Sequence, residues 1–597
     1  MTDLATSLPP GLLLDVHATG ALTWADVHVA QKVAHLYGEA DQRVLLALAL
    51  TVRALRTGST CLDLSTATDL RFGADDEWVV VPAELWPEPR AWRAAIEASP
   101  LVTPGPRGRG ERPLRLVGDL LYLERYWQEE TTVATELDLR RAAVPAPVPP
   151  ERLRAARAEL LAAGSDRYQV VAALVPSLTP VSVIAGGPGT GKTHTLARVL
   201  GVLARTSPTP PRIALAAPTG KAAARMEEAL SHALAELPDD LATDLGRLRA
   251  TTIHRLLGPL PGSRSRFRHD RNNPLPQDVV VVDEASMVSL TLMARLVDAL
   301  RPDARLVLVG DPDQLAPVEA GAVLADIVDA NWPTPPSLAA GLAAVGESPA
   351  GPVVRLLQNH RSSTAIADLA AAVLAGDAGK VLAIAAAGTA AVRFAPTVEE
   401  TDLRQRVTAS GAALIAAAEA GRVGDALVEL DRHRLLCAHR DGQFGVAPWS
   451  RRVEDWLVAA VPGFDPTRPW YPGRPLLVTR NTADLGLSNG DTGVVVRHGE
   501  QLRAHFARGS GVISVSPALL DGVQTIHAMT VHKAQGSQFD AITFVLPSPE
   551  SPLLTQELLY TAITRARDQV TLIGSPEALT QAVRSRARRA SGLRQRL

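Results

Sequence analysis

The chain has 597 residues, 46% of them hydrophobic and 21% charged, with a net charge of −2. This length predicts three or four globular domains, and the composition excludes a disordered or fibrous chain. Near-neutral charge excludes a nucleic-acid binder that relies on bulk charge, but allows one that uses local basic surface.

Cys61 and Cys437 lie too far apart to outline a metal or disulfide framework and read as buried small hydrophobes in a reducing cytoplasm. The first residues, MTDLATSLPPGLLLD, lack a basic region and a long apolar core, so no signal peptide is expected. No apolar run reaches membrane-spanning length.

Residues 1–125 read as an N-terminal, mainly helical docking domain. It has two amphipathic helices around a Gly-Ser turn, then strand-like runs at Trp78–Pro82 and around LRLVGDLLYLERYW. Ala142–Leu153 is a Pro-rich linker. Gln169 follows, an amide able to read both donor and acceptor on an adenine edge.

Val181–Thr195, VSVIAGGPGTGKTHT, organises the rest. A β-branched strand turns through Gly186, Gly187, Pro188, Gly189, Thr190 and Gly191, then enters a helix at Lys192, Thr193 and His194. This is a phosphate-binding P-loop in its strand–loop–helix context. The glycines let backbone N–H groups wrap a polyphosphate, and the helix N-terminus adds positive charge. Lys192 reaches the β- and γ-phosphates of ATP, and the Thr193 hydroxyl holds Mg²⁺.

Strands then alternate with helices, a doubly wound α/β pattern. Val279–Val288 ends a valine strand in Asp283 and Glu284, where an open α/β sheet places its chemistry. Asp283 is the second Mg²⁺ ligand, and Glu284 orients and deprotonates the attacking water. Arg305–Gly321 carries Gln314, a neutral amide suited to sensing the γ-phosphate. Pro333–Pro352 looks like the boundary to a second α/β unit, and Arg361 follows a strand there. Tyr471–Val515 has short strands and an Asn489-Gly490-Asp491 turn, which reads as a small inserted β-barrel. Arg565 and Arg567 lie at the end of a late helix, and the basic tail is expected to fray. A P-loop unit followed by a unit with arginines but no P-loop predicts a nucleotide held between two lobes. Arg361 and Arg565 would then act as arginine fingers.

Taken in order, GGPGTGKT, APTGKAAARM, TIHRLLG, VVDEASM, GDPDQLAPVEAG, NHR, TVHKAQGSQFD and YTAITRAR resemble the motif set of superfamily 1 DNA helicases. RNNPLPQDVVVVDEASMV, GRPLLVTRNTADLGLSNGDTGVVV and LRTGSTCLDL resemble its RecD branch, from exodeoxyribonuclease V. The resemblance implies two tandem RecA-like P-loop NTPase domains, at 126–340 and 341–597, with an SH3-like β-barrel inserted at about 470–520. It implies an ATP-driven 5′-to-3′ motor on single-stranded DNA. It also implies RecB-like and RecC-like partners that process duplex ends, with the nuclease site on a partner. Thr219, Gly220, Lys221, Thr252, His254, Thr530, His532 and Lys533 would contact the strand, as hydroxyls, backbone N–H groups and Lys hold phosphates without reading sequence. The insertion Gly258–Gln277, with Arg264, Arg266, Arg268 and Arg271, would be a strand-separating hairpin. The alternatives are a solitary helicase, or a DNA-binding scaffold with vestigial hydrolysis.

Overall fold

The computed structural model describes residues 11–72, 79–108, 110–143, 145–161, 166–260, 262, 266–358, 364–397, 402–508, 511–587 and 589–597. Two parallel sheets dominate. The first has six strands in the order Val353–Leu356, Val181–Gly186, Arg305–Gly310, Val279–Val282, Ile213–Ala217, Ala250–Thr252. All its pairings are parallel. Its central strands are apolar apart from Ser182 and Arg305 because helices cover both faces. Val279–Val282 is four valines, all buried.

The second sheet has five parallel strands, Val392–Ala395, Ala566–Ile573, Phe539–Val545, His433–Cys437 and Ala528–Thr530. In sequence, between His433–Cys437 and Ala528–Thr530, lies a five-stranded antiparallel sheet, ordered Gly511–Val515, Gln501–Arg508, Thr492–His498, Pro475–Val478, Val523–Thr525. Gly490 takes φ +92° in the turn ahead of Thr492–His498, as the Asn-Gly signal anticipates. Among the described residues no helix is long and apolar enough to cross a membrane.

Three expectations need correction. The strand Val353–Leu356 pairs with Val181–Gly186, so the break expected at 340/341 falls inside the first sheet. Helix Pro336–Ala344 buries Leu338 and Leu342 in that sheet's core and keeps the chain there. In the N-terminal region the strands expected around LRLVGDLLYLERYW are present, within a larger sheet. Leu62–Asp63, Leu120–Leu123, Leu114–Val117 and Val102–Pro104 form a four-stranded sheet. Helix Glu124–Ala142 then runs past the expected boundary and packs Val133 and Leu137 against Met293 and Leu296.

The third correction is the basic tail, which is docked rather than frayed. Its Arg596 ion-pairs at 3.2 Å with Glu130, a carboxylate of zero exposure, and stacks 3.5 Å over the Trp127 ring. Ser591 Oγ lies 3.1 Å from Glu130 and 2.9 Å from Asp326, and Thr60 N–H donates to Ala590 O at 2.9 Å. Arg589 donates to Pro317 O at 2.7 Å. The tail thus leaves the second sheet and returns to the first, beside the N-terminal region.

Candidate active site

Val181–Gly186, Arg305–Gly310 and Val279–Val282 are neighbours in one parallel sheet, so their carboxyl ends open on the same edge. That edge carries the phosphate loop, Asp311 and Asp283. Gly189 and Gly191 both take φ +81°, which turns the loop into the helix Lys192–Thr206. A side chain at Gly186 would meet the Thr190 hydroxyl at 2.6 Å. Thr190 Oγ1 in turn donates to Gly187 O at 2.8 Å, and Gln169 Nε2 donates to Thr190 O at 3.2 Å. Gln169 is therefore at the loop, bonded to its backbone. Lys192 Nζ donates to Gly186 O at 2.7 Å and Gly187 O at 2.9 Å. Thr193 is half-buried at the first helical turn. The His194 ring lies between Glu236, at 2.6 Å, and Arg198, at 2.7 Å.

Burial pushes the Asp283 carboxyl up to about 6, with Glu284 adding repulsion and Lys192 opposing it. Glu284 sits at φ +50°, the one non-glycine residue with positive φ among those described. Such strain marks a side chain held where the fold needs it. Gln314 is 6% exposed, and its Nε2 donates to Asp311 Oδ2 at 2.9 Å.

The second sheet's helix Gln556–Ile563 abuts this edge. Tyr560 Oη donates to Asp311 Oδ2 at 3.1 Å, and the Leu315 N–H donates to Thr561 Oγ1 at 2.9 Å. Gln535 Nε2 donates to Leu315 O at 2.8 Å. Arg565, 3% exposed, donates to Thr561 O and Ser537 O, both at 3.2 Å, and to the Thr564 hydroxyl. Burial lowers its pKa, while Glu284 and Asp311 favour its charge. Lys192 also faces Asp311. Burial raises the Asp311 pKa, Lys192 opposes that rise through space, and Asp311 in turn favours the charge of Arg565, so a cation from each sheet acts on the same edge. Beside them a crevice of about 360 Å³ runs between Pro188 and Gly189 on one wall and Ile366, Gln538, Thr564 and Arg567 on the other. Arg361 lies outside the described residues.

A second groove runs along the far end of the first sheet. Gly220, Thr252 and Arg255 line it with Ser488 and Arg508 of the antiparallel sheet. Thr219 and Thr252 each cap a helix, accepting from Ala222 N and Arg255 N at 3.1 Å. Gly220 has room for no side chain because Ser488 packs on it. Half-buried Lys221 lies beside Gly490, and burial together with Arg225 pushes its pKa down to about 7. Exposed His254 sits 5.9 Å from the Phe267 ring. Phe267 bridges Pro259, and Leu260 N–H donates to Arg266 O at 3.1 Å, so the base of the basic insertion is a hairpin. Arg271 bonds Asp298 at 2.9 Å and Glu136 at 3.2 Å, which anchors the insertion, while Arg264 lies outside the described residues. Thr530, His532 and Lys533 are on the second sheet's edge, where Lys533 Nζ donates to Gln524 Oε1 at 2.6 Å. Burial, reinforced by Arg589, pushes His532 down to about 4.

Residues 18–122 match the profile of the RecBCD enzyme subunit RecD N-terminal domain, 170–320 that of an AAA domain, and 525–573 that of a UvrD-like helicase C-terminal domain. The RecBCD enzyme subunit RecD of Mycobacterium tuberculosis is 47% identical over 98% of this chain and 97% of its own. The chain belongs to the RecD family. The RecD subunit of Mycolicibacterium smegmatis is also 47% identical, over 96% of this chain and 97% of its own. The ATP-dependent RecD2 DNA helicase of Deinococcus radiodurans is 31% identical over 70% of this chain but only 50% of its own. A solved Pif1 helicase from Candida albicans covers 69% of this chain and 94% of its own at 16% identity and a TM-score of 0.36, so the family assignment rests on the sequence relatives.

In this RecD-family chain, sequence reasoning passed over Asp311, Tyr560 and Thr561. Asp311 ends a buried strand beside the phosphate-loop strand, the same signal that picked out Asp283. Tyr560 and Thr561 carry no such signal, because their partners are about 250 residues earlier in the chain.

Proposed function

We propose that this chain is the ATP-driven motor subunit of a RecBCD-type complex. It moves 5′ to 3′ on single-stranded DNA, unwinds duplex ends for recombinational repair, and assembles with RecB-like and RecC-like subunits in the cytoplasm, with the nuclease site on a partner. The observation that carries this reading is the crossing between the two sheets at the phosphate loop, where Tyr560 Oη donates to Asp311 Oδ2 at 3.1 Å five residues before buried Arg565.

In this reading the backbone from Gly186 to Gly191 cradles the phosphates of ATP, and Gln169 holds the adenine end. Lys192 leaves the Gly186 and Gly187 carbonyls for the β- and γ-phosphates. Two hard oxygens, the Thr193 hydroxyl and the Asp283 carboxylate, fit Mg²⁺, and a buried carboxyl raised to about 6 is one that a cation would stabilise. Bound Mg²⁺ supplies charge neutralisation at the β- and γ-phosphates. Glu284 orients and deprotonates the water, Gln314 senses the γ-phosphate, and Arg565 with Arg361 offsets the negative charge of the transition state. The groove at Thr219, Gly220, Lys221, Thr252 and His254 tracks the strand and continues to Thr530, His532 and Lys533. The antiparallel sheet is an SH3-like module riding on the second of two RecA-like units, and the 258–277 insertion parts the strands.

The test is ATPase activity with and without single-stranded DNA, on the chain purified alone and with its native partners. Lys192→Gln should abolish hydrolysis and leave the melting temperature unchanged. Near wild-type hydrolysis in that variant ends the motor reading.

A further inference from the structure

Tyr560 stands five residues before Arg565, on the helix Gln556–Ile563. Its ring packs in the apolar core of the second sheet, with Leu559, Ile563 and Phe544. Only its hydroxyl crosses to the first sheet, where it donates to Asp311 Oδ2 at 3.1 Å. The same oxygen accepts from Gln314 Nε2 at 2.9 Å. The next residue, Thr561, takes the Leu315 N–H at 2.9 Å. Two consecutive residues of one unit thus hold the two residues that bracket Gln314 in the other. The phenol tip also rests on the phosphate loop, since a Cβ at Gly187 would lie 2.6 Å from Tyr560 Oη.

We propose that Tyr560 is a positioning residue for ATP hydrolysis: its hydroxyl on Asp311 sets how the helix leading to Arg565 seats on the phosphate loop, and ties that seating to Gln314. This rests on the ATPase reading above. A phenol has two side-chain torsions and a rigid ring, so it transmits position better than a flexible chain of equal reach. Asp311 Oδ2 has two donors, one from each unit. When Gln314 turns to the γ-phosphate, Tyr560 keeps that oxygen alone and the bond between the units strengthens. Burial beside Asp311 and Asp313 keeps the phenol protonated, so it remains a donor.

Tyr560→Phe keeps the ring in its core and removes only the crossing. Steady-state ATPase of the full chain with single-stranded DNA reads the effect. A hydrogen bond to a charged group is worth about 10- to 100-fold in rate when it acts only through the transition state. The kcat should fall by about that factor with the KM for ATP unchanged. Because Tyr560 acts through Arg565, Tyr560→Phe should add nothing in an Arg565→Ala background. A wild-type kcat, a raised KM at unchanged kcat, or losses that multiply in the double variant would each overturn the proposal. If Tyr560→Phe melts far below wild type, Thr561→Val removes the neighbouring crossing to Leu315 and should give the same loss of kcat at unchanged KM, and a wild-type kcat there would overturn the proposal. A wild-type chain without ATPase, or an active Lys192→Gln variant, would instead sink the ATPase reading itself.

Discussion

Arg565 makes no ion pair among the described residues, although it is 3% exposed. Its donors go to two carbonyls and a hydroxyl, while Glu284 and Asp311 act on it through space. A desolvated cation so placed is ready for an anion brought into the cleft, which is the geometry an arginine finger needs. Arg565→Ala should lower kcat by about 10³-fold or more while nucleotide still binds, as read by single-turnover hydrolysis against equilibrium binding. At this scale the sequence announced the residues whose motif is contiguous: the phosphate loop needs its glycines in one run, and Asp283 and Glu284 end a valine strand. It was silent on Tyr560, because a tyrosine in LLYTAI looks like core, and most of its ring is core. The role proposed for it rests on one oxygen whose partner arrives only on folding.

Among the elements, the tail shows how charge misleads. VRSRARRASGLRQRL looks like a solvated basic run, but its acceptors, Glu130 and Asp326, come from distant helices. Arg596→Ala would leave Glu130 buried without its cation, a change that costs about 3–5 kcal/mol in comparable cases. Thermal melting should register that loss. Asp326 makes the same docking site sensitive to pH. Burial, with Glu130 and Asp329 nearby, pushes its carboxyl up to about 7, opposed by the Ser591 hydrogen bond and Arg594. A folded pKa above the unfolded one means the contribution to stability is full below about pH 4 and is lost as pH rises through about 7. Measured against wild type, Asp326→Asn should therefore gain melting temperature as pH rises over that window. An equal slope in both proteins would refute this account. Ser591 Oγ has one proton and two carboxylate neighbours, and it already accepts from Leu593 N–H, so a protonated Asp326 satisfies the local hydrogen bonding.

Across the whole molecule, alternating strands and helices made two α/β units legible, since parallel strands buried on both faces must be apolar throughout. The strand order was not legible. Val353–Leu356 follows a Pro/Gly-rich stretch that resembles a domain boundary, yet it completes the first sheet's edge, because pairing beside Val181–Gly186 buries Val354 and Leu356. A distance measurement between one label on each unit should show a shorter separation when a non-hydrolysable ATP analogue binds. An unchanged distance would count against lobe closure. Apart from the contacts at Asp311 and Leu315, the chain crosses between the two units once after Leu356 and again where the tail reaches Pro317, Asp326 and Glu130. A plate fastened at two points keeps a single freedom, a swing about the line through both fastenings. For the motor proposed above, these two fastenings favour a stroke that swings about one line once the contacts at Asp311 and Leu315 part.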